Sequence, residues 1–214
     1  MYMKFCNIDV DIVNSNEPHA SPSGKLPFLA TVTGAVYHGE RIHQWIKDMN
    51  KDKPSEEQGK AFIALTKTKL HAAMLFSMWL EPPNYIATAQ AYFGHLPAPV
   101  NSWLAYQKKN DILQTLLIDR DILVREEIYQ QAEEALEALS VKLGDNTYFF
   151  DASEPTWADA VIFSYLHVIL AAPQITDASI EEREKHQAHT LRGLVRKHEN
   201  LVQYAKNIYE LYLK

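Results

Sequence analysis

The cysteine at position 6 is the one thiol in this 214-residue chain that could act as a nucleophile or a redox group. A reactive thiol needs a helix N-terminus or a nearby cation to stabilise its thiolate. Cys6 instead follows residues 2–5, which resemble the last turn of a helix, where the helix dipole disfavours negative charge. We therefore predict that Cys6 is a packed side chain and not a catalytic residue.

Nine histidines raise the question of a metal site. Glu182, His186 and His189 are spaced by four and three residues, so they could share one face of a helix. Structural zinc normally has four ligands, and neither a fourth ligand nor an HExxH pattern accompanies these three. Glycine-rich nucleotide-binding patterns and a GxSxG pattern are also absent from the sequence. We expect no catalytic residue, no metal and no cofactor.

Two short blocks contain residues whose types and spacing indicate structural roles rather than catalytic ones. The block SPSGKLPF, residues 21–28, places Pro27 directly before a predicted strand, where an X-Pro bond can be cis. Further along, Thr156 and Asp159 have the spacing of a capping box, in which two residues bind the unpaired N–H groups of a helix start. We interpret Pro27, Thr156 and Asp159 as fold-defining residues.

The elements around these blocks divide the chain in two. Alternating apolar and polar residues predict a strand at 7–12, and further strands are predicted at 28–32 and 35–37. The later part reads as helix, with predicted helices at residues 55–80, 100–118, 125–143, 156–171, 181–195 and 200–213, and with Pro82-Pro83 ending the first. We predict an α/β domain at residues 1–50 and a helical domain at residues 51–214.

Composition excludes several classes of function. The net charge of −6 argues against nucleic-acid binding, which needs clustered lysine and arginine. The N-terminal residues resemble neither a secretory signal nor a cleaved transit peptide. The most apolar stretch, residues 160–172, is shorter than the roughly 20 residues that a membrane-spanning helix needs. It is typical of a buried core helix.

Together the two blocks resemble the glutathione-transferase fold. In that fold a thioredoxin-like first domain has a proline before its third strand, and a helical second domain contains the Thr-x-x-Asp capping box. The resemblance implies a strand and a helix before the first strand predicted here, yet only the helix-like residues 2–5 precede it. We therefore expect the first strand and most of the first helix of this fold to be missing.

Longer blocks sharpen the resemblance to the metaxin family. They are SPSGKLPFL from Ser21, LAYQKK at 104–109, TYFFDASEPTWADAVIFSYL at 147–166 and LRGLVRKHENLVQYAKNIYELYL at 191–213. The resemblance implies a non-enzymatic subunit of the sorting and assembly machinery, on the cytosolic face of the mitochondrial outer membrane. Such subunits help to import β-barrel precursor proteins and insert them into that membrane.

The same resemblance implies particular partners. These are a membrane-embedded β-barrel assembly subunit, a second metaxin-like subunit and β-barrel precursor proteins, with peripheral membrane contact only and no nucleic acid. Some members carry a C-terminal membrane anchor, whereas this sequence ends at Lys214 without one. It therefore resembles the branch of the family without an anchor.

A divergent glutathione-dependent transferase is the alternative. Such an enzyme needs a thiol-activating residue near the end of its first strand, a backbone contact at the proline and an acidic-Ser pair. The Leu26-Pro27 contact could survive, but His38-Gly39 occupies the position that resembles the acidic-Ser pair. We prefer the non-catalytic subunit, and a scaffold in another complex is a third possibility.

Four aromatic residues are candidates for a partner surface: Trp79, Tyr85, Trp103 and Tyr106. Aromatic and Met side chains beside a rigid proline turn suit a protein interface. The helical spacing around Trp79 also fits a core-facing stripe, and Trp103 and Tyr106 have a similar ambiguity, so both interpretations stay open. Two basic groups are candidate contacts for acidic partners or lipid headgroups: Lys108 with Lys109, and Arg192 and Arg196 with Lys197.

Overall fold

The computed structural model describes residues 1–15, 21–24, 26–49, 57–118, 120–172 and 181–214. The chain forms two compact units, Met1–Ser55 and Glu56–Lys214. Residues 50–56, which contain the predicted domain boundary, lie outside the described residues. The predicted division at residues 50 and 51 therefore stays a proposal.

The first unit is a small α/β unit. It contains the helix α1 (Tyr2–Phe5), strand β1 (Phe28–Ala30), strand β2 (Val36–His38) and helix α2 (Glu40–Asp48). The two strands are antiparallel, with Leu29 opposite Tyr37. A turn joins them, in which the N–H of Gly34 donates to the carbonyl of Thr31 at 2.9 Å. Gly34 has a φ of +84°, which favours glycine at this position.

The strand predicted at residues 7–12 is wrong. Residues 8–15 form no regular element, and the sheet within the described residues has two strands, β1 and β2. Ile8 is buried, but Ile12 is exposed, so the alternation does not create one buried face. An alternating pattern supplies side chains for a strand, whereas a strand also needs a neighbour for its backbone hydrogen bonds.

The second unit is helical. In its described residues the elements are α3 (Glu57–Leu65), a π-helical turn (Thr66–Leu70), α4 (His71–Trp79), α5 (Pro82–Phe93), α6 (Val100–Leu117), α7 (Arg125–Leu143), a 3₁₀ turn (Phe149–Asp151), α8 (Trp157–Ala171), α9 (Glu182–Ala188), α10 (Thr190–Arg196) and α11 (Glu199–Tyr212). The helices predicted at 100–118, 125–143, 156–171 and 200–213 are confirmed to within a residue. A small α/β unit followed by a helical bundle is the predicted glutathione-transferase-like fold class.

The prolines after α4 end one helix and begin another. The long helix predicted at 55–80 is present as α3, the π-helical turn and α4, which ends at Trp79. Pro82 and Pro83 then occupy the first turn of α5, where a missing N–H costs nothing because those groups have no partner within the helix. The sequence interpretation treated the prolines only as a stop, so it missed α5.

The helix predicted at 181–195 is interrupted at His189, between α9 and α10. The amide of Asn84 donates to the carbonyl of Ala188 at 2.9 Å, which uses an acceptor next to the break. The hydroxyl of Thr190 donates to the carbonyl of His186 at 3.2 Å. Contacts from α5 and from a threonine hydroxyl thus stabilise the break, and periodicity alone does not predict them.

The core of the helical unit is apolar and includes a cluster around Trp79. The indole of Trp79 is 2% exposed and is grouped with the buried Ile112 and Leu116 of α6. Tyr92 of α5 packs edge-to-face on Trp79, with ring centroids 5.5 Å apart. In the part of the chain that the structure describes, every helix is too short or too polar to cross a membrane.

We expect Trp79→Ala to lower the free energy of unfolding by about 3–5 kcal/mol, because it leaves a cavity beneath α5 and α6. Trp103→Ala is the matched control, since the indole of Trp103 is 58% exposed. The control should change the free energy of unfolding by less than about 1 kcal/mol. Denaturant unfolding of both variants measures the difference, and equal losses would contradict the placement of Trp79 in the core.

Candidate functional site

The carboxylate of Asp159 lies at the centre of a buried polar network. Its Oδ2 accepts hydrogen bonds from the backbone N–H and from the hydroxyl of Thr156, both at 2.8 Å. Its Oδ1 accepts from the N–H of Phe149 and from the hydroxyl of Tyr204, both at 3.0 Å. The predicted pair Thr156 and Asp159 thus forms the capping box at the start of α8. The sequence interpretation missed Phe149 and Tyr204.

This network joins three segments that are distant in sequence. Asp159 belongs to α8, Phe149 to the 3₁₀ turn and Tyr204 to α11. Burial raises the pKa of the Asp159 carboxyl group, and the hydrogen bonds from its donors oppose that rise. Burial and the neighbouring Asp159 raise the pKa of the Tyr204 phenol well above its usual value. With both oxygens occupied by structural donors, this carboxyl group holds the fold together and is not presented to a substrate.

A second buried carboxylate, Glu81, lies between α4 and α5. Its Oε1 accepts from Nε of Arg125 at 2.7 Å and from the hydroxyl of Tyr129 at 3.1 Å. The guanidinium of Arg125 also donates to the hydroxyl of Thr190 at 2.9 Å and lies 4.7 Å from the centroid of the Tyr129 ring. Burial, followed by the charge of Glu81, raises the pKa of the Tyr129 phenol. This second network connects the α4–α5 junction to α7 and α10.

A pocket of about 350 Å³ lies among α4, α5, α8 and the α9–α10 junction, and its lining is mostly apolar. Three of its polar side chains already have structural contacts. Asn84 donates to the carbonyl of Ala188, and His167 stacks on Phe163 with ring centroids 5.3 Å apart. The guanidinium of Arg192 donates to the carbonyls at the end of α8. The pocket therefore presents an apolar wall rather than a set of converging catalytic groups.

The first unit contains the residues that resemble a glutathione site. The Leu26-Pro27 peptide bond is cis, directly before β1. His38 ends β2, and Gly39 follows it with a φ of +53°, a conformation that residues with a Cβ rarely adopt. Cys6 is buried at the C-terminal end of α1, as predicted. Across the described residues, no group of three or more His, Cys, Asp and Glu side chains is placed to hold a metal ion.

The four predicted partner-surface residues differ in exposure and fall into three classes. Trp79 is buried, which corrects its assignment to a partner surface, because the apolar packing of α4 against α6 covers the indole. Tyr85 is half-buried beside Trp79, and Nζ of Lys109 lies 4.7 Å from the centroid of its ring. Trp103 and Tyr106 are 58% and 60% exposed on α6. An exposed aromatic pair thus remains as the candidate interaction site.

Two family models match the chain. Residues 1–109 match the family described as outer mitochondrial membrane transport complex protein. Residues 132–208 match the glutathione S-transferase C-terminal domain. The first match spans the whole α/β unit and continues into α6, whereas the second covers most of α7 to α11.

Curated relatives agree with the first match. Metaxin-2 of Mus musculus is 28% identical over 199 residues, which cover 89% of this chain and 75% of the relative. Metaxin-1 of Macaca fascicularis is 30% identical over 231 residues, which cover 99% of this chain and 67% of the relative. The chain belongs to the metaxin family. A metaxin-1 homolog of Caenorhabditis briggsae is 32% identical over 81% of the chain and 58% of the relative. Metaxin-family membership confirms the resemblance drawn from the sequence blocks.

We expect Asp159→Asn to lower the free energy of unfolding by about 3 kcal/mol, because the amide NH₂ would meet donors where an oxygen now accepts. Asp145→Asn is the matched control, since Asp145 is exposed. The control should shift the free energy of unfolding by less than about 0.5 kcal/mol. Chemical denaturation followed by circular dichroism measures both values, and an unaffected Asp159→Asn variant would contradict the role of this network.

We expect Arg125→Met to lower the free energy of unfolding by about 2–4 kcal/mol, because it leaves the buried Glu81 carboxylate without its cation. Lys197→Met is the control, since it breaks the exposed ion pair of Lys197 with Glu133. An exposed pair contributes little, so the control should lose less than about 1 kcal/mol. Thermal and denaturant unfolding of the two variants compare a buried pair with an exposed one, and similar losses would contradict this account.

Proposed function

We propose that this chain is a non-catalytic subunit of the sorting and assembly machinery of the mitochondrial outer membrane. In this role it aids the import and insertion of β-barrel precursor proteins from the cytosolic face, as a peripheral component. The observation that carries the proposal is the match of residues 1–109 to a family of outer mitochondrial membrane transport complex proteins. Metaxin-1 and metaxin-2 relatives that cover most of the chain support it.

The proposed partners are a membrane-embedded β-barrel assembly subunit, a second metaxin-like subunit and the precursors themselves. Family membership supports a role within a complex of several subunits, since the description of the matched family names a transport complex.

The non-catalytic part of the proposal is supported by how the ionisable groups are used. Asp159 and Glu81 are buried and are bound by structural donors. Cys6 is buried beside a helix C-terminus, where a thiolate is disfavoured. His38-Gly39 provides neither the carboxylate nor the hydroxyl that the resemblance to an acidic-Ser pair requires.

The alternative, a divergent glutathione-dependent transferase, has one specific observation in its favour. Residues 132–208 match the glutathione S-transferase C-terminal domain. That domain supplies the helical framework, whereas the residues that resemble a glutathione grip lie in the first unit, around Pro27 and His38. We therefore rank this function second.

Co-purification from detergent-solubilised mitochondrial outer membranes tests the proposal. A tagged full-length chain should retain a β-barrel membrane protein and a second metaxin-family chain. The Asp159→Asn variant is the comparison, because a destabilised helical unit should retain less of both partners. Recovery of the folded wild-type chain without any β-barrel protein would overturn the proposal.

A further inference from the structure

The residues from Pro82 to Gln107 contain no Asp, Glu, Lys or Arg, although 22% of the whole chain is charged. They span α5, the connection after it and the first half of α6. The acidic and basic residues that flank this segment in sequence are Glu81, which is buried, and Lys108, which is exposed. A segment of this length without Asp, Glu, Lys or Arg is unexpected when 22% of the chain consists of these residues.

This neutral segment is not hidden in the core. From Tyr92 onwards, seven of its apolar or aromatic residues are exposed and form what we call the hairpin surface: Tyr92, Pro97, Ala98, Pro99, Val100, Trp103 and Tyr106. They are close in sequence, since they come from the end of α5, the connection and the start of α6. Helices α5 and α6 pack on each other, so together with their connection they form a helical hairpin with a defined structure.

One face of α6 is buried in the helical bundle and the other is exposed to solvent. Ala105, Ile112 and Leu116 are buried and anchor the helix to the bundle. Val100, Trp103 and Tyr106 are exposed and follow one another at intervals of three residues. At a rise of about 1.5 Å per residue, neighbouring members of this set are about 4.5 Å apart along the helix axis. An exposed helix face with a tryptophan and a tyrosine is therefore presented on a firmly anchored helix.

We propose that the hairpin surface binds the interfacial layer of a phospholipid bilayer, with the rings of Trp103 and Tyr106 among the headgroups. Tryptophan and tyrosine favour this layer because one part of the ring is apolar and another forms hydrogen bonds with water. The net charge of −6 disfavours contact with anionic headgroups, and the neutral segment itself adds no Asp or Glu carboxylate to that repulsion. The proposal rests on the proposed location at the outer membrane.

The extent of the neutral segment favours a bilayer over a protein partner. Protein interfaces are depleted of charge at their centre, while their rim is polar and solvated. Here the depletion in the sequence covers both the exposed and the buried side of α5 and half of α6. The first cations, Lys108 and Lys109, follow where the segment ends, and Nζ of Lys109 lies 4.7 Å from the centroid of the Tyr85 ring. The neutral polar residues beside the aromatic pair, Ser102 and Gln107, are exposed and can hydrate at a headgroup layer.

Flotation of purified full-length chain with vesicles of phosphatidylcholine tests the proposal, together with tryptophan fluorescence. The test variant is Trp103→Ala with Tyr106→Ala. The matched control is Ile118→Ala with Ile122→Ala, which removes two apolar side chains that are 76% and 73% exposed at and beyond the other end of α6. Circular dichroism confirms that both variants keep the helical fold.

We expect the wild-type chain and the control to float with the vesicles, and the wild-type emission to shift to shorter wavelength. The test variant should bind at least about tenfold more weakly, because aromatic area that leaves water contributes strongly to binding. No flotation of the wild type, or equal binding of the test variant, would overturn the proposal. A wild-type dimer that the same two substitutions dissociate would also overturn it, since the surface would then bind protein.

The two proposals fail separately. Vesicle binding uses purified protein and pure lipid, so it does not depend on any subunit of the machinery. If the chain floats with vesicles but no β-barrel protein co-purifies with it, the proposed function is contradicted and the membrane-binding proposal for the hairpin surface is not. If a β-barrel protein co-purifies but the chain does not float with vesicles, the membrane-binding proposal is contradicted and the proposed function is not.

Discussion

The buried carboxylate of Asp159 is the constraint on which the helical unit depends. A carboxyl group that has left water must receive hydrogen bonds on both oxygens, because a buried acceptor without a donor costs about 1–3 kcal/mol or more. Those donors come from the 3₁₀ turn at Phe149, the start of α8 at Thr156 and α11 at Tyr204. The carboxylate therefore has all of its donors only when these three segments are packed together.

Local chemistry in the sequence predicts some of this arrangement, and long-range contacts supply the rest. The spacing of Thr156 and Asp159 predicts their pairing, because a capping box lies within one helical turn. Nothing near Glu81 indicates Arg125 as its partner, since the two are brought together only by packing of α7. The strand predicted at residues 7–12 is wrong for the same reason. The alternating pattern is a local feature of the sequence, whereas pairing with a neighbouring strand depends on residues elsewhere in the chain.

Trp79 and Trp103 illustrate the limit for the candidate site. Both lie in apolar helical surroundings, and sequence spacing leaves both as core or partner residues. The structure separates them because α6 covers one indole and leaves the other in solvent. We propose that the glutathione-transferase-like framework serves as a scaffold in this metaxin-family chain, with its buried carboxylates in structural roles and with Trp103 and Tyr106 exposed on α6.

Titration of the isotopically labelled full-length chain with glutathione, followed by NMR, tests this claim most directly. The account predicts that the amide signals of residues around β1, β2 and Gly39 stay in place at millimolar glutathione, and that conjugation of a standard electrophile does not exceed the uncatalysed rate. Saturable shifts of those signals together with turnover would contradict it, because the framework would then still carry its enzymatic site.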